Sequence, residues 1–582
     1  MKDKWINNME YKPENKICQN CKKDFTIEPE DFLFYEKFKV PAPTFCSKCR
    51  IARRMIWRNE RSFYHRNCDL CKGKIISVFC DKNLKVYCQN CWLGDKWEAS
   101  EYGEAYNFSK TFFLQYLDLY KNTPLINLNG HISNKNSPYV NYIIQASNCH
   151  FCFGGGYIEN VMFSNVGVRM KDSMEIYFSM DNEFCYEIVN CQKCYRVYYG
   201  NNLRDCMDSY FLQDCVNCKD CIMSCNLRNK SYFFKNQQLT KEEFLVKKEE
   251  FLNRLQKSIY SLKSEFKEVL VESPKKFANI LKSEYSTGDN ITESSNVINS
   301  FNISKGENCK NSQDIVGVAR DIYDTTSAGL GLENIYESMS VSMNILNSFF
   351  SLSIRNDSFN INYSFALTSC SNCFACIGLR NKSYCILNHQ YTKEEYEEMV
   401  PKIIKHMSDM PYIDSKGKIY KYGEFFPSEL SPFAYNETIA QEYFPLTKVQ
   451  AIEQGYRWKD KEERNYNIDI HTEDIPDNIK DIQDNITDKI IECSHKGLCN
   501  QQCTEAFKII EEELSFYKRM NLPIPRLCPN CRHYERLLQR NPMKLWHRSC
   551  MKEGCTNTFE TSYSPERPEI VYCEKCYQNE VY

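Results

Sequence analysis

Two stretches, residues 140–225 and 296–377, consist of short runs in which apolar and polar residues alternate over 3–5 positions, as in NCHFCF, EFCYEIVNCQKCYRVYY and NINYSFALTSC. Asn, Asp, Ser and Gly separate the runs, which is the grammar of strands and turns. Cys185 and Cys206, and again Cys194 and Cys215, stand 21 residues apart. A period near 20 with one or two short strands per repeat predicts stacked coils, a parallel β-solenoid of β-helix type, in which each coil buries its core against its neighbours. An ordinary open sheet is the alternative. Small Cys and large Tyr or Phe then form interior ladders. The two stretches are related: an offset of 152 maps Cys218 and Cys221 onto Cys370 and Cys373, and LRNKSY at 227–232 onto LRNKSY at 379–384. Thr240 and Thr392, each with Glu three residues later, open capping boxes. The first predicts a charged amphipathic helix over 241–270 and the second a shorter one near 393–408. These helices cap exposed coil ends, or the longer one binds a partner. Ile475, Ile479, Ile482, Ile486 and Ile490 form one apolar stripe and predict an amphipathic helix within 471–490. The aromatic, Pro-containing segment 411–470 is too apolar for a free linker and is expected to drape over the solenoid or the cysteine-rich ends.

Composition adds one strong feature. The 582 residues carry 74 Lys+Arg against 76 Asp+Glu, so the chain as a whole is neither a polycation nor an acidic-tail protein. No apolar run approaches the ~20 residues of a membrane span, and the opening MKDKWINNME has no secretory apolar region. A cytoplasmic location is expected. Cysteine is the outlier, with 33 residues, an odd number. Without a secretory signal, clustered cysteines point to metal rather than to disulfides. Each end of the chain holds four cysteine pairs. The first end has Cys18 and Cys21, Cys46 and Cys49, Cys68 and Cys71, Cys88 and Cys91. The second has Cys499 and Cys503, Cys528 and Cys531, Cys550 and Cys555, Cys573 and Cys576. An offset of 482 carries Cys21 onto Cys503 and continues without a gap to Cys68 and Cys550, so the ends are copies of one unit. Paired thiolates on tight knuckles supply the tetrahedral four-cysteine shell that Zn2+ prefers. Eight ligands per end predict about four Zn2+ per chain. Both sequential and cross-braced pairing satisfy the spacing. Cys493 and His495 sit just before the last set and are candidates to replace a ligand there, but are left outside it. His65 and His547, each three residues before a Cys, read as packed surface histidines rather than ligands.

The segments CQNCKKDFTIEPEDFLFYEKFKVPAPTFCSKCR (18–50) and CNQQCTEAFKIIEEELSFYKRMNLPIPRLCPNCR (499–532) resemble the probable zinc-ribbon domain family of bacteria. The shared pattern is a Cys pair, a Phe four residues on, an acidic-Phe-Tyr stretch and Cys-x2-Cys-Arg. The whole chain resembles a group of uncharacterised Cys-rich bacterial proteins that combine such ribbons with a Cys-rich middle. The resemblance implies metal and fold, and no activity. The wider spacings within Cys499/Cys503 and Cys550/Cys555 depart from it.

Arg50, Arg54 and Arg58 map onto Arg532, Arg536 and Arg540, and Arg66 onto Arg548. The i, i+4, i+8 spacing puts each set along one helical stripe beside Trp57, Tyr64 or Trp546. Such stripes are candidates for contacting phosphates and stacking on bases, RNA before DNA. The competing reading pairs them with the acidic stretches Glu28–Asp31 and Glu511–Glu513. Net charges of +5 over residues 1–105 and +2 over 493–582 are modest for a nucleic-acid binder. Cys215, Cys218, Cys221 and Cys225 have iron–sulfur spacing, but only Cys370, Cys373 and Cys376 recur in the related half, which fits an interior ladder better. No P-loop, GxGxxG, HExxH or GxSxG is present, so an enzyme is the weaker expectation.

The sequence therefore predicts a mixed, mostly β chain: a double zinc-ribbon unit (1–105), a β-solenoid half (125–239), a charged helical insert (240–285), a second solenoid half (290–391), a helix with an aromatic connector (392–490) and a second double ribbon (491–582). The expected function is zinc-dependent binding or scaffolding, with nucleic acid or another protein as partner and no membrane. The rival is a β-helix carbohydrate-active enzyme or carbohydrate binder. The oligomeric state is not legible in the sequence.

Overall fold

The structure is a computed structural model and describes residues 11–257, 259–461 and 466–581. It is mostly β, with 33% strand and 24% helix. Two compact units divide the chain. Of the described residues, one gathers 11–127 and 278–460; the other gathers those of 128–277 with most of those from 461 to 581. Neither follows chain order, because each takes one cysteine-rich end and the large sheet more distant in sequence.

The 128–277 unit contains a ten-stranded sheet running in strict sequence order from Val140–Ser147 to Gln237–Gln238. Its strands are parallel until the last pair. Neighbouring strands are offset by a constant step of twelve: Val140 pairs with Cys152, Met174 with Tyr186 and Tyr198 with Tyr210. Bridges outside the strands keep the same step, as in Glu183 to Tyr195. The repeat is thus shorter than the period near 20 read from the sequence. The 21-residue cysteine separations arise because Cys185 lies nine positions before Cys194, which lies one full repeat before Cys206.

Nor is the burial pattern a two-residue alternation. The core of this unit's sheet comprises Val140, Ile143, Ala146, Cys149, Cys152 and onward to Cys215, Cys218 and Cys221, always in the same frame of three. The backbone gives the reason. Every third residue along the sheet adopts a left-handed conformation, for example Asn148 (φ 53°), Phe151 (φ 52°), Phe184 (φ 53°) and Glu187 (φ 51°). Each such residue re-aims the chain, so the inward position recurs at three rather than at two. Asn and Asp tolerate this conformation best, which explains their density between the apolar runs. They also stack: Asn136, Asn148, Asn160 and Asp172 form a ladder of side-chain hydrogen bonds at 3.1–3.2 Å.

The interior row admits mainly small side chains, and Cys and Ser serve it in the same way. Ser173 Oγ donates to the Lys171 carbonyl (2.7 Å) and accepts from the Cys185 N–H (3.0 Å). Cys185 Sγ donates toward the Glu183 and Cys194 carbonyls at 3.4 and 3.6 Å. Cys215, Cys218 and Cys221 are successive inward positions, each with its thiol near a backbone carbonyl at 3.3–3.4 Å. Cys225 falls outside the frame, with its thiol 2.9 Å from Ser273 Oγ. These contacts match interior packing.

The 278–460 unit holds the second sheet, of eleven strands. Its step is again twelve where Phe301 pairs with Gln313. It lengthens by one position from Gly306–Ala319, after a register shift between Ser304 and Gly306, through Leu346–Phe359, and shortens again at Phe359–Ser371. Its inward row includes Ile335, Ile361, Cys370, Cys373 and Cys376. Both capping boxes form: Glu243 N–H donates to Thr240 Oγ1, and Glu395 N–H to Thr392 Oγ1, each at 3.2 Å. They open the helices Lys241–Leu255 and Lys393–Asp409, and Ile259–Val271 follows the first. The isoleucine segment corrects an expectation. Ile475, Ile479, Ile482 and Ile486 are buried as the pattern required, but on three short 3-10 turns rather than one helix. Pro476 interrupts the segment, and the Asn478 side chain takes the Lys480 N–H, a local bond that competes with helix.

Candidate metal centres

Each cysteine set is built from a hairpin and a helix start. The first pair of ligands lies on the turn joining two short antiparallel strands, Glu14–Ile17 with Asp24–Ile27 and Tyr64–Asn67 with Lys74–Ser77. Lys22 (φ 59°) and Lys72 (φ 62°) take left-handed conformations just after Cys21 and Cys71, closing the knuckle. The second pair sits at a helix N-terminus. Cys46, Cys88 and Cys528 precede the first helical residues of Ser47–Met55, Gln89–Leu93 and Pro529–Leu537, and Cys573 immediately precedes Glu574–Val581. Free N–H groups at a helix start favour thiolates.

Four groups of four thiols result, with all sulfur atoms in a group within 4.8 Å of one another: Cys18/Cys21/Cys46/Cys49, Cys68/Cys71/Cys88/Cys91, Cys493/Cys503/Cys528/Cys531 and Cys550/Cys555/Cys573/Cys576. The groups are sequential along the chain and not interleaved. Representative Sγ–Sγ separations are 3.8 Å for Cys21–Cys46 and 3.9 Å for Cys71–Cys88, Cys493–Cys531 and Cys555–Cys573. A tetrahedron with metal–sulfur bonds of ~2.3 Å has edges of about 3.8 Å, so the residues fit a four-thiolate metal site.

One backbone contact recurs in all four groups. The N–H of the third ligand points at the sulfur of the first: Cys46 to Cys18 (3.3 Å), Cys88 to Cys68 (3.2 Å), Cys528 to Cys493 (3.2 Å) and Cys573 to Cys550 (3.3 Å). Cys493 therefore holds the place of Cys18. From the sequence that place falls to Cys499, with Cys493 a candidate replacement; the four-thiol group forms with Cys493, a correction to that set. The chain reaches it instead from Cys493, where the strand Ile491–Glu492 pairs with Ala506–Phe507. Cys499 lies beside the group, its sulfur 3.7 Å from that of Cys531. The N–H groups also tune the thiols. Burial raises the Cys68 pKa, but backbone donors from Cys88, Cys71 and Leu70 outweigh it and bring the thiol down to about 7. Burial likewise opposes, and the Asn557 amide leads, the lowering of Cys573 to about 6. His65 is exposed, and His547 Nδ1 faces Glu560 Oε1 at 2.9 Å; neither joins a group.

The arginines take a different place from the one the stripe suggested. Arg50 and Arg54 do lie on the helix Ser47–Met55, but they are buried, 4% and 0% exposed. Arg50 bonds Asp324 at 2.9 Å and approaches Glu337 at 3.3 Å, and Arg54 lies 3.4 Å from Glu337. Arg53, not singled out from the sequence, bridges Glu424 (2.7 Å) and Glu337 (3.3 Å). Arg58 pairs with Glu60 and Ser340. The second copy repeats the device: Arg532 pairs with Glu175 (2.7 Å) and Glu513 (2.9 Å), Arg536 with Glu175, and Arg540 donates to Tyr177 Oη (2.8 Å). Arg66 pairs with Asp69 and the Leu84 carbonyl, and Arg548 meets the Ser564 carbonyl and Met551 sulfur. Buried guanidinium groups already held by carboxylates do not reach a phosphate. Asp324, Glu337 and Glu175 come from the large sheets, so the stripes dock each cysteine-rich end onto its sheet. Trp57 is buried against Phe426 and Tyr120 instead of offering a stacking face.

Two concavities lie elsewhere. One, of about 290 Å³, is lined by Glu187, Lys263, Arg526 and Glu535, and Lys263 already bonds Glu187 at 2.7 Å. The other, of about 630 Å³, follows the added positions of the longer steps, with Val318, Leu330, Met343 and Asn344 along it. No helix among the described residues is long and apolar enough to cross a membrane. No family model matches the chain, and no curated protein matches it.

Proposed function

We propose that this chain is a zinc-binding scaffold or binding protein. In this reading each large sheet is one face of a β-solenoid whose coils are twelve positions long, with one fewer at the start of the second sheet and one more where it widens, and each cysteine-rich end is a pair of zinc ribbons. The constant step, which extends to bridges outside the strands, supports the solenoid. The observation that carries the zinc reading is the set of four four-thiol groups, the sulfurs of each within 4.8 Å of one another and each with the same N–H contact to its first sulfur. Four thiolates close a zinc shell, which makes these sites structural rather than catalytic. The free thiols suit a reducing compartment such as the cytoplasm. Because Arg50, Arg54, Arg58, Arg66, Arg532 and Arg536 are held by carboxylates, a protein partner is favoured over nucleic acid.

Metal analysis and a visible spectrum of the full chain, purified under reducing conditions, test this. At least four zinc per chain and no visible absorption are expected. Iron with a visible band would sink the proposal and move the chain toward redox chemistry.

A further inference from the structure

The third cysteine group has more ligands than one ion needs. Cys493, Cys503, Cys528 and Cys531 complete a four-thiol shell, yet Cys499 and His495 stand against the same Cys531. The ligand atoms of His495, Cys499 and Cys531 all lie within 4.8 Å of one another. The Cys499–Cys531 separation of 3.7 Å matches the edge of a zinc–thiolate tetrahedron, about 3.8 Å. It equals the spacing within the closed groups and is too long for a disulfide, whose sulfurs lie about 2.05 Å apart. His495 Nδ1 is buried and without a hydrogen-bond partner, as is the Gln501 side-chain oxygen two residues beyond Cys499. A buried imidazole nitrogen without a partner is costly unless something binds it. The other three groups have no such surplus among the described residues.

We propose that this ribbon holds a second divalent zinc ion, bound by His495, Cys499 and a Cys531 thiolate shared between the two ions. The proposal rests on the zinc reading of the four closed sites and goes beyond it in number and kind. A thiolate has lone pairs enough to bridge two metals. The second ion then has three protein ligands and a fourth position for water or an incoming ligand, the arrangement that distinguishes open zinc sites from closed structural ones. The loop that carries it faces solvent: Leu498 is 90% exposed. The fifth ion is therefore the accessible one, and it exchanges before the others.

The test is zinc stoichiometry by mass spectrometry on the full-length chain and on two loop variants, Cys499→Ser and His495→Ala. The expected result is five zinc per chain, falling to four in each variant, with one equivalent of the wild type yielding first to a chelator. His495 lies on an exposed loop, so its replacement keeps the test valid if the cysteine variant folds poorly. Four zinc in the wild type, unchanged in both variants, would overturn the proposal. Four in the wild type and three in Cys499→Ser would also overturn it, by showing Cys499 to be a ligand of a single closed site. A chain with no zinc would fail the zinc reading of every site, a result distinct from both.

Discussion

Arg50 and Arg532 are buried guanidinium side chains, 4% and 6% exposed. Both follow a Cys-x2-Cys pair, and for Arg532 the sequence already offered an acidic partner in Glu511–Glu513, of which Glu513 is met at 2.9 Å. In the fold each is desolvated and answered by carboxylates from a distant strand, Arg50 by Asp324 and Glu337 and Arg532 by Glu175. A buried ion pair adds little net stability, but removing one partner leaves the other charged and unpaired. Glu175 serves Arg532 and Arg536 together. The variant Glu175→Gln is accordingly expected to lose about 3–5 kcal/mol of unfolding free energy by denaturant titration. A loss within the ~0.5 kcal/mol typical of surface changes would mean that the arginines do not dock the cysteine-rich end. Most of the clustered cysteines were legible at this scale because knuckle spacing is local. Cys493 was legible only as a candidate replacement, because its place is set by strand pairing across the excursion from Ile491 to Phe507 rather than by nearness to its partner cysteine.

Among the elements, the large sheets teach the most. Strand character, the related halves, the capping boxes at Thr240 and Thr392 and the interior role of the middle cysteines could all be read from the chain. The period could not, since the inward row recurs every third residue only because left-handed residues intervene, and side chains such as Phe184 or Glu187 do not announce that conformation. With hindsight the signal was present: small or apolar residues stand three apart from Val140 to Cys221. A narrow interior row makes a volume prediction. Cys218, 1% exposed, sits between the inward neighbours Cys215 and Cys221. Replacement by Leu is expected to cost about 1–3 kcal/mol through overpacking, and replacement by Ser, which takes the same hydrogen bonds elsewhere in the row, less. The comparison of two thermal or denaturant midpoints decides it, and equal tolerance of Leu would mean a wider interior.

At the level of the whole molecule, the chain pairs each cysteine-rich end with the sheet farther from it in sequence. Residues 1–277 thus contain an N-terminal end and a first sheet that belong to different compact units. Expressed alone, that fragment leaves Glu175 without Arg532 and Arg536, and Arg50 without Asp324. It is expected to lack the cooperative thermal transition of the full chain by circular dichroism. A cooperative, well-folded fragment would show that each sheet stands without its partner end.

Read as a string, the chain already carried most of the cysteines of its four candidate metal groups, the duplication of ends and sheets, the mostly β class and the starts of the major helices. All of these rest on ligands and caps close in sequence or on repeats visible in one string. Folding in three dimensions was needed to settle which cysteine completes the third group, where the arginines spend their charge and which end joins which sheet. Those outcomes depend on residues far apart in the chain meeting in a water-poor interior, where a guanidinium must find a carboxylate and a thiol must find its three partners.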